Sequence, residues 1–177
     1  MKKIIFTMLL FTFSSNILLA QNLVPIDNES SVAFGIKNFG STVNGKFTGV
    51  KGKIVFNPQQ LNASSINVTI DAATINTSNG TRDKHLKKDG YFDVAKYPTI
   101  QFIATKIVAS GSSYIAEGIL TIKGISKNIS LPFTATAYKG GYNFIGEISL
   151  NRRDFKVGSG SLILSDNLIA KLNIVAR

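Results

Sequence analysis

The stretch "YIAEGILTIKGISKNISLPFTATAY", Tyr114–Tyr138, decides how the rest of the chain is read. In its first half Tyr114, Ala116, Leu120 and Ile122 share one parity; in its second, Ile129, Leu131, Phe133 and Ala135 do. Side chains two apart lie on one face of an extended strand, so each half reads as a strand with one buried face. Lys123-Gly124 falls between them, where a tight turn needs a positive φ that glycine adopts without steric cost. The unit is a β-hairpin.

The pattern continues in both directions. Upstream, Val32, Phe34 and Ile36 align in one run. In "GKFTGVKGKIVF" (45–56) Phe47 and then Val50, Ile54 and Phe56 turn inward, with a change of parity near Gly49 that suits a bulge. "SINVTIDAATI" (65–75) presents Ile66, Val68, Ile70 and Ala72, and "TIQFIATKIVA" (99–109) presents Ile100, Phe102 and Ala104. Downstream, "GYNFIGEISL" (141–150) presents Tyr142, Phe144, Ile148 and Leu150, and the last run presents Leu168, Ala170, Leu172 and Ile174. Ser110-Gly111-Ser112 and Gly140-Gly141 supply further hairpin turns. The expectation is an all-β chain of eight antiparallel strands. Such a meander closes most economically into a barrel, which leaves no exposed edge; a two-sheet sandwich is the alternative.

Composition narrows the class. Lys2 and Lys3 precede an apolar run from Ile4 to Phe13, and Ala20 suits the last position before a cleavage site, so residues 1–20 read as a signal peptide and 21–177 as one domain. Export to the periplasm is the resulting expectation. The chain has no cysteine, so its fold rests on packing without disulfides, and thiolate zinc sites are excluded. No metal site is expected from its one histidine. The formal charge of +10 becomes +8 without Lys2 and Lys3 (10 − 2). Export and the scatter of the basic residues argue against nucleic acid and for anionic headgroups or transient contact with a membrane surface. Outward positions such as Lys37, Asn67, Asp71, Gln101, Glu117 and Lys171 are too polar for a barrel facing lipid.

The one helical stretch is "TRDKHLKKDGYFDV" (81–94), within a long connection over about residues 76–97. Thr81 or Asn79 can cap it, Asp83 and Lys87 can pair one turn apart, and Gly90 can end it in the left-handed conformation. It also groups Arg82, Asp83 and His85. A hydrolase needs a nucleophile beside His85, and no Gly-x-Ser-x-Gly elbow surrounds a serine here. The three residues read as a pin that fastens the connection, or as a headgroup contact. Arg152, Arg153 and Asp154, at the end of a strand, read as a rim cap. Inside, large residues alternate with Ala72, Ala104, Ala116, Gly118, Ala135, Gly146 and Ala170, which suits either a tunnel or a filled core.

These stretches resemble the YceI-like family, exported lipocalin-like barrels described as polyisoprenoid-binding. The resemblance runs through "IDNESSVAFGIKNFG", "GKFTGVKGKIVFNP" and "GILTIKGISKNISLPF", and is most specific in Arg82-Asp83-x-His85-Leu86 with Phe92-Asp93 and Tyr97-Pro98. It implies a lipocalin-like barrel whose cavity holds an isoprenoid quinone, a polyprenyl phosphate or a similar amphiphile, in a non-enzymatic bacterial binding protein without cofactor, as monomer or homodimer. The tail would lie among Phe34, Ile36, Phe47, Phe56, Ile70, Phe102, Leu120, Phe133, Phe144 and Leu172. Many relatives have histidine where this chain has Asn38. The alternatives are an envelope stress or interaction module with a filled barrel, and an enzyme acting on lipid through His85.

Overall fold

The computed structural model describes residues 21–177; the leader reading of residues 1–20 lies outside these. Ten strands form one antiparallel sheet: β1 (Gln21–Leu23), β2 (Ser31–Asn38), β3 (Ser41–Phe47), β4 (Lys51–Phe56), β5 (Ser65–Asp71), β6 (Thr99–Ser110), β7 (Ser113–Ile122), β8 (Ile125–Tyr138), β9 (Gly141–Asn151) and β10 (Leu164–Ala176). Their spatial order is β1-β4-β5-β6-β7-β8-β9-β10-β2-β3. The sheet curls into a half-barrel around the apolar face, and the short helix α1 (Gly80–Leu86) sits in the β5–β6 connection.

The count of ten corrects the eight expected. The run 45–56 divides at residues 48–50, where Gly49 has φ +76°. The amides at the break leave the ladder. Thr48 N–H donates to Thr74 Oγ1 (2.9 Å) and Val50 N–H to Asp27 Oδ1 (2.7 Å). The first half, β3, pairs with β2, while the second, β4, pairs with β5 and with β1. β1 is the other addition, three residues too short to show alternation. The ladder is therefore open, and other backbone meets it locally at each edge. Lys46 of β3 exchanges hydrogen bonds with Asn76 (2.9 and 3.0 Å). The segment after β1 bonds the end of β10, through Val24 N–H to the Arg177 carbonyl and Ile26 N–H to the Val175 carbonyl, both 2.8 Å. Unpaired edges invite association with other chains, and these contacts shorten the free edges.

The hairpins follow from their turns. Lys123-Gly124 has φ +51° and +70°, and Lys139-Gly140 has +47° and +82°, the paired positive φ that matches the twist of the flanking strands. The second turn thus lies one residue before the Gly140-Gly141 expected. Phe39-Gly40 turns β2 into β3 in the same way (+50° and +74°), a hairpin not anticipated, because Phe is an unusual residue at a positive φ.

One end of the half-barrel is filled. Phe56 lies at its centre, with the rings of Tyr114, Phe133, Tyr142 and Phe144 5.1–6.2 Å away and 65–88° to its plane, edge-to-face arrangements favoured by the ring quadrupoles. Leu23 and Ala176 complete this layer, both fully buried.

Candidate functional site

The other end is hollow. A cavity of about 390 Å³ lies between the strands, bordered by apolar side chains from β2 through β10 and by Leu86, Tyr91, Phe92, Phe155 and Val157 from the two long connections. Of the ten tail-binding candidates, Phe34, Ile36, Phe47, Ile70, Phe102, Leu120, Phe133, Phe144 and Leu172 border it. Phe56 does not; it belongs to the filled end. Among the small inner residues only Gly146 and Ala170 border the space. Ala104, Ala116 and Ala72 are packed away at 0–1 % exposure, and a Cβ on Gly118 would lie 2.7 Å from that of Ala104. Most small residues therefore let strands and connections approach, and the hollow comes from large side chains held apart. Phe34, Ile36, Ile70 and Leu172 accordingly stay only half-buried although they point inward.

The polar boundary lies at the α1 end and consists of Asn38, Thr69, Thr77, Arg82, His85 and Arg152. Thr77 organises part of it. Its N–H and Oγ1–H both donate to Asp83 Oδ1 (2.9 and 2.6 Å), Arg82 Nε donates to its Oγ1 (2.7 Å), and Arg82 Nη2 donates to its carbonyl (2.7 Å). Thr77, itself 5 % exposed, is the partner that sequence reasoning missed. Five residues before Arg82 in a loop, it carries no signal of its own. Asn79 caps α1 by accepting from Arg82 N–H (3.0 Å). The helix ends at Leu86 with Lys87 in the right-handed region, and Gly90 is not left-handed, because Phe92 and Val94 N–H bond back to the Leu86 and Lys87 carbonyls (3.0 and 3.1 Å) and finish the helix instead. Asp83, held by Thr77, forms no ion pair with Lys87 among the described residues.

His85 stands apart from this knot. Its ring meets Tyr91 edge-on at 4.9 Å, so it braces its own connection rather than bridging to a strand. It is solvent-exposed and also borders the cavity, which marks where the cavity reaches solvent. Arg152 is the second pin. At 4 % exposure it donates from Nε to the Ser165 carbonyl (3.0 Å), from Nη1 to the Val157 carbonyl (2.9 Å) and from Nη2 to Asp166 Oδ1 (2.7 Å). It fastens the β9–β10 connection to the start of β10, and Gly158 N–H to the Gly90 carbonyl (3.0 Å) ties that connection to the α1 loop. Among the described residues Asn38 and Asn143 have a buried side-chain oxygen without a hydrogen-bond partner, and of the two Asn38 borders the cavity. No group of three or more potential metal-ligating side chains occurs among the described residues.

Fold and site define a class: a single curled antiparallel sheet that is filled at one end and encloses an apolar pocket with a polar rim at the other. The YceI-like domain model matches residues 25–176, and the chain belongs to that family. A UPF0312 protein from Photorhabdus laumondii is 30% identical over 157 residues, covering 83% of this chain and 82% of the relative. Among solved structures, BcnA from Burkholderia cenocepacia superposes with a TM-score of 0.82 at 25% identity, over 86% of this chain and 99% of BcnA. A polyisoprenoid binding domain from Saccharophagus degradans gives a TM-score of 0.70 over 89% and 98%; at 13% identity that likeness shows the fold alone.

Proposed function

We propose that this protein is a periplasmic carrier that holds an isoprenoid amphiphile, of the quinone or polyprenyl phosphate type, by burial and without bond chemistry. The observation that carries the reading is the 390 Å³ hollow, bordered almost wholly by apolar side chains. Its volume lies in the range of small-molecule pockets. Each methylene removed from water contributes about 0.8 kcal/mol, so a long tail needs few polar contacts to be held. In this reading the head lies at the polar rim. Arg82 bonds only neutral Thr77 oxygens and has no direct ion pair among the described residues, and Asn38 Oδ1 offers an unused acceptor. The named polyisoprenoid binding domain of the same fold supports the same ligand class.

The test is lipid extraction of protein purified without detergent, followed by mass spectrometry. An isoprenoid amphiphile in near-stoichiometric amount is expected. Absence of any amphiphile, together with an unchanged melting temperature on adding quinones or polyprenyl phosphates, rejects the reading. The enzymatic reading through His85 has less support. Arg82 and Asp83 are engaged with Thr77, and the described contact of the imidazole is the Tyr91 ring.

A further inference from the structure

The rim of the cavity carries an exposed apolar patch. Phe39, Leu162 and Ile163 are 76, 106 and 47% exposed, and Phe39 N–H donates to the Ile163 carbonyl (3.0 Å), so the three lie on neighbouring chain segments. Their sequence neighbours Asn38 and Leu164 border the cavity. Isolated exposed apolar residues are ordinary, but a cluster of large ones beside a pocket is not. Phe39 sharpens the point. It occupies a positive-φ turn position (+50°) that favours Asn, Asp or Gly, and most of its surface lies in solvent.

Basic side chains without an ion pair stand around the mouth. Lys37 lies two residues before Phe39 on the outer face of β2. Lys123 and Lys156 meet across the rim through Lys123 Nζ and the Lys156 carbonyl (3.1 Å), and Lys84 and Lys88 project from α1 and its end. None of these five forms an ion pair among the described residues. Of the acids on the same segments, Asp166 is engaged by Arg152 and Arg153, while Asp89 and Asp154 are exposed and leave the basic residues in excess. At the filled end the cations Lys139 and Arg177 are instead paired with Glu29.

We infer that the Phe39–Leu162–Ile163 patch is a docking foot for an anionic phospholipid bilayer: its side chains enter the headgroup layer, the lysines around it meet the negative surface, and the mouth faces the membrane. Apolar insertion plus basic attraction is the combination that holds a protein reversibly on such a surface. The inference rests on the carrier reading for its purpose, but it is measured separately. Flotation is done with vesicles of phosphatidylcholine with and without phosphatidylglycerol, using wild type, Phe39→Ser/Leu162→Ser and Lys123→Gln/Lys156→Gln, each checked for an unchanged melting temperature. Wild type is expected to float with the anionic vesicles only and to detach in high salt. The apolar variant should partition at least about tenfold more weakly and the charge variant several-fold more weakly. Wild type that ignores anionic vesicles, an apolar variant that floats like wild type, or a wild-type dimer that this variant dissociates each overturns the inference. The carrier reading is scored independently by amphiphile content, which both variants should retain.

Discussion

At the scale of single residues, polar side chains at the rim divide into those that hold the structure and those that face the pocket. Thr77 belongs to the first kind. Thr77→Val removes the hydroxyl that joins Arg82 to Asp83, and leaving such groups unpaired costs about 1–3 kcal/mol. His85→Ala loses one edge-to-face ring contact, worth about 0.5–1.5 kcal/mol. Urea unfolding of both variants should therefore rank Thr77→Val as the more damaging, and His85→Ala should keep its amphiphile. Arg152→Met should cost more than either, about 2–4 kcal/mol, because two carbonyls and the Asp166 carboxylate lose a charged donor together. A shift in the midpoint smaller than that of His85→Ala would rule out Arg152 as a pin. Arg82, Asp83 and His85 are visible in sequence as a group because they are close along the chain. Their separation into a Thr77 knot and a ring contact is not, since it depends on which side chain the fold brings beneath the helix.

At the scale of elements, alternation identified the strands, and turn chemistry identified most of their joints. Gly124 and Gly140 illustrate how far such reading goes. Both sit at positive φ, where a side chain costs about 1–2 kcal/mol. Nothing lies within 4 Å of a Cβ on Gly140, whereas one on Gly124 would come within 2.5 Å of the Tyr97 ring. Gly140→Ala should lower stability by the backbone amount only, and Gly124→Ala by clearly more, as read in paired thermal melts. Equal losses would show that the Tyr97 ring yields freely. The sequences of the two turns look alike, and only the residue packed above one of them makes the difference. The division of 45–56 into β3 and β4 is similar. Gly49 hints at a bulge, but Thr74 and Asp27, which capture the freed amides, are remote in sequence.

At the scale of the whole molecule, the half-barrel is firm at one end and hollow at the other, and the two halves should answer differently to mutation. Phe56→Ala removes the ring on which four others converge and should cost about 3–5 kcal/mol. Ala170→Phe points a ring into the hollow between Phe34 of β2 and Ile148 of β9. It should leave the melting temperature nearly unchanged while reducing co-purified amphiphile about tenfold, since the tail and the ring compete for one space. A filled core would give the opposite result, with a loss of stability and no change in bound lipid.

What the amino-acid sequence determines by itself is the all-β class, the inward set of side chains and the antiparallel order of the hairpins. Period-two alternation and glycine-bearing turns act between near neighbours, and their physics is local. The tertiary structure alone decides that the sheet stays an open ladder of ten strands, that Phe56 plugs one end, and that the other end remains hollow. These depend on which large side chains meet across the sheet and which are held apart. Alternation says which way a side chain points, and carries no information about how far away the opposite wall lies.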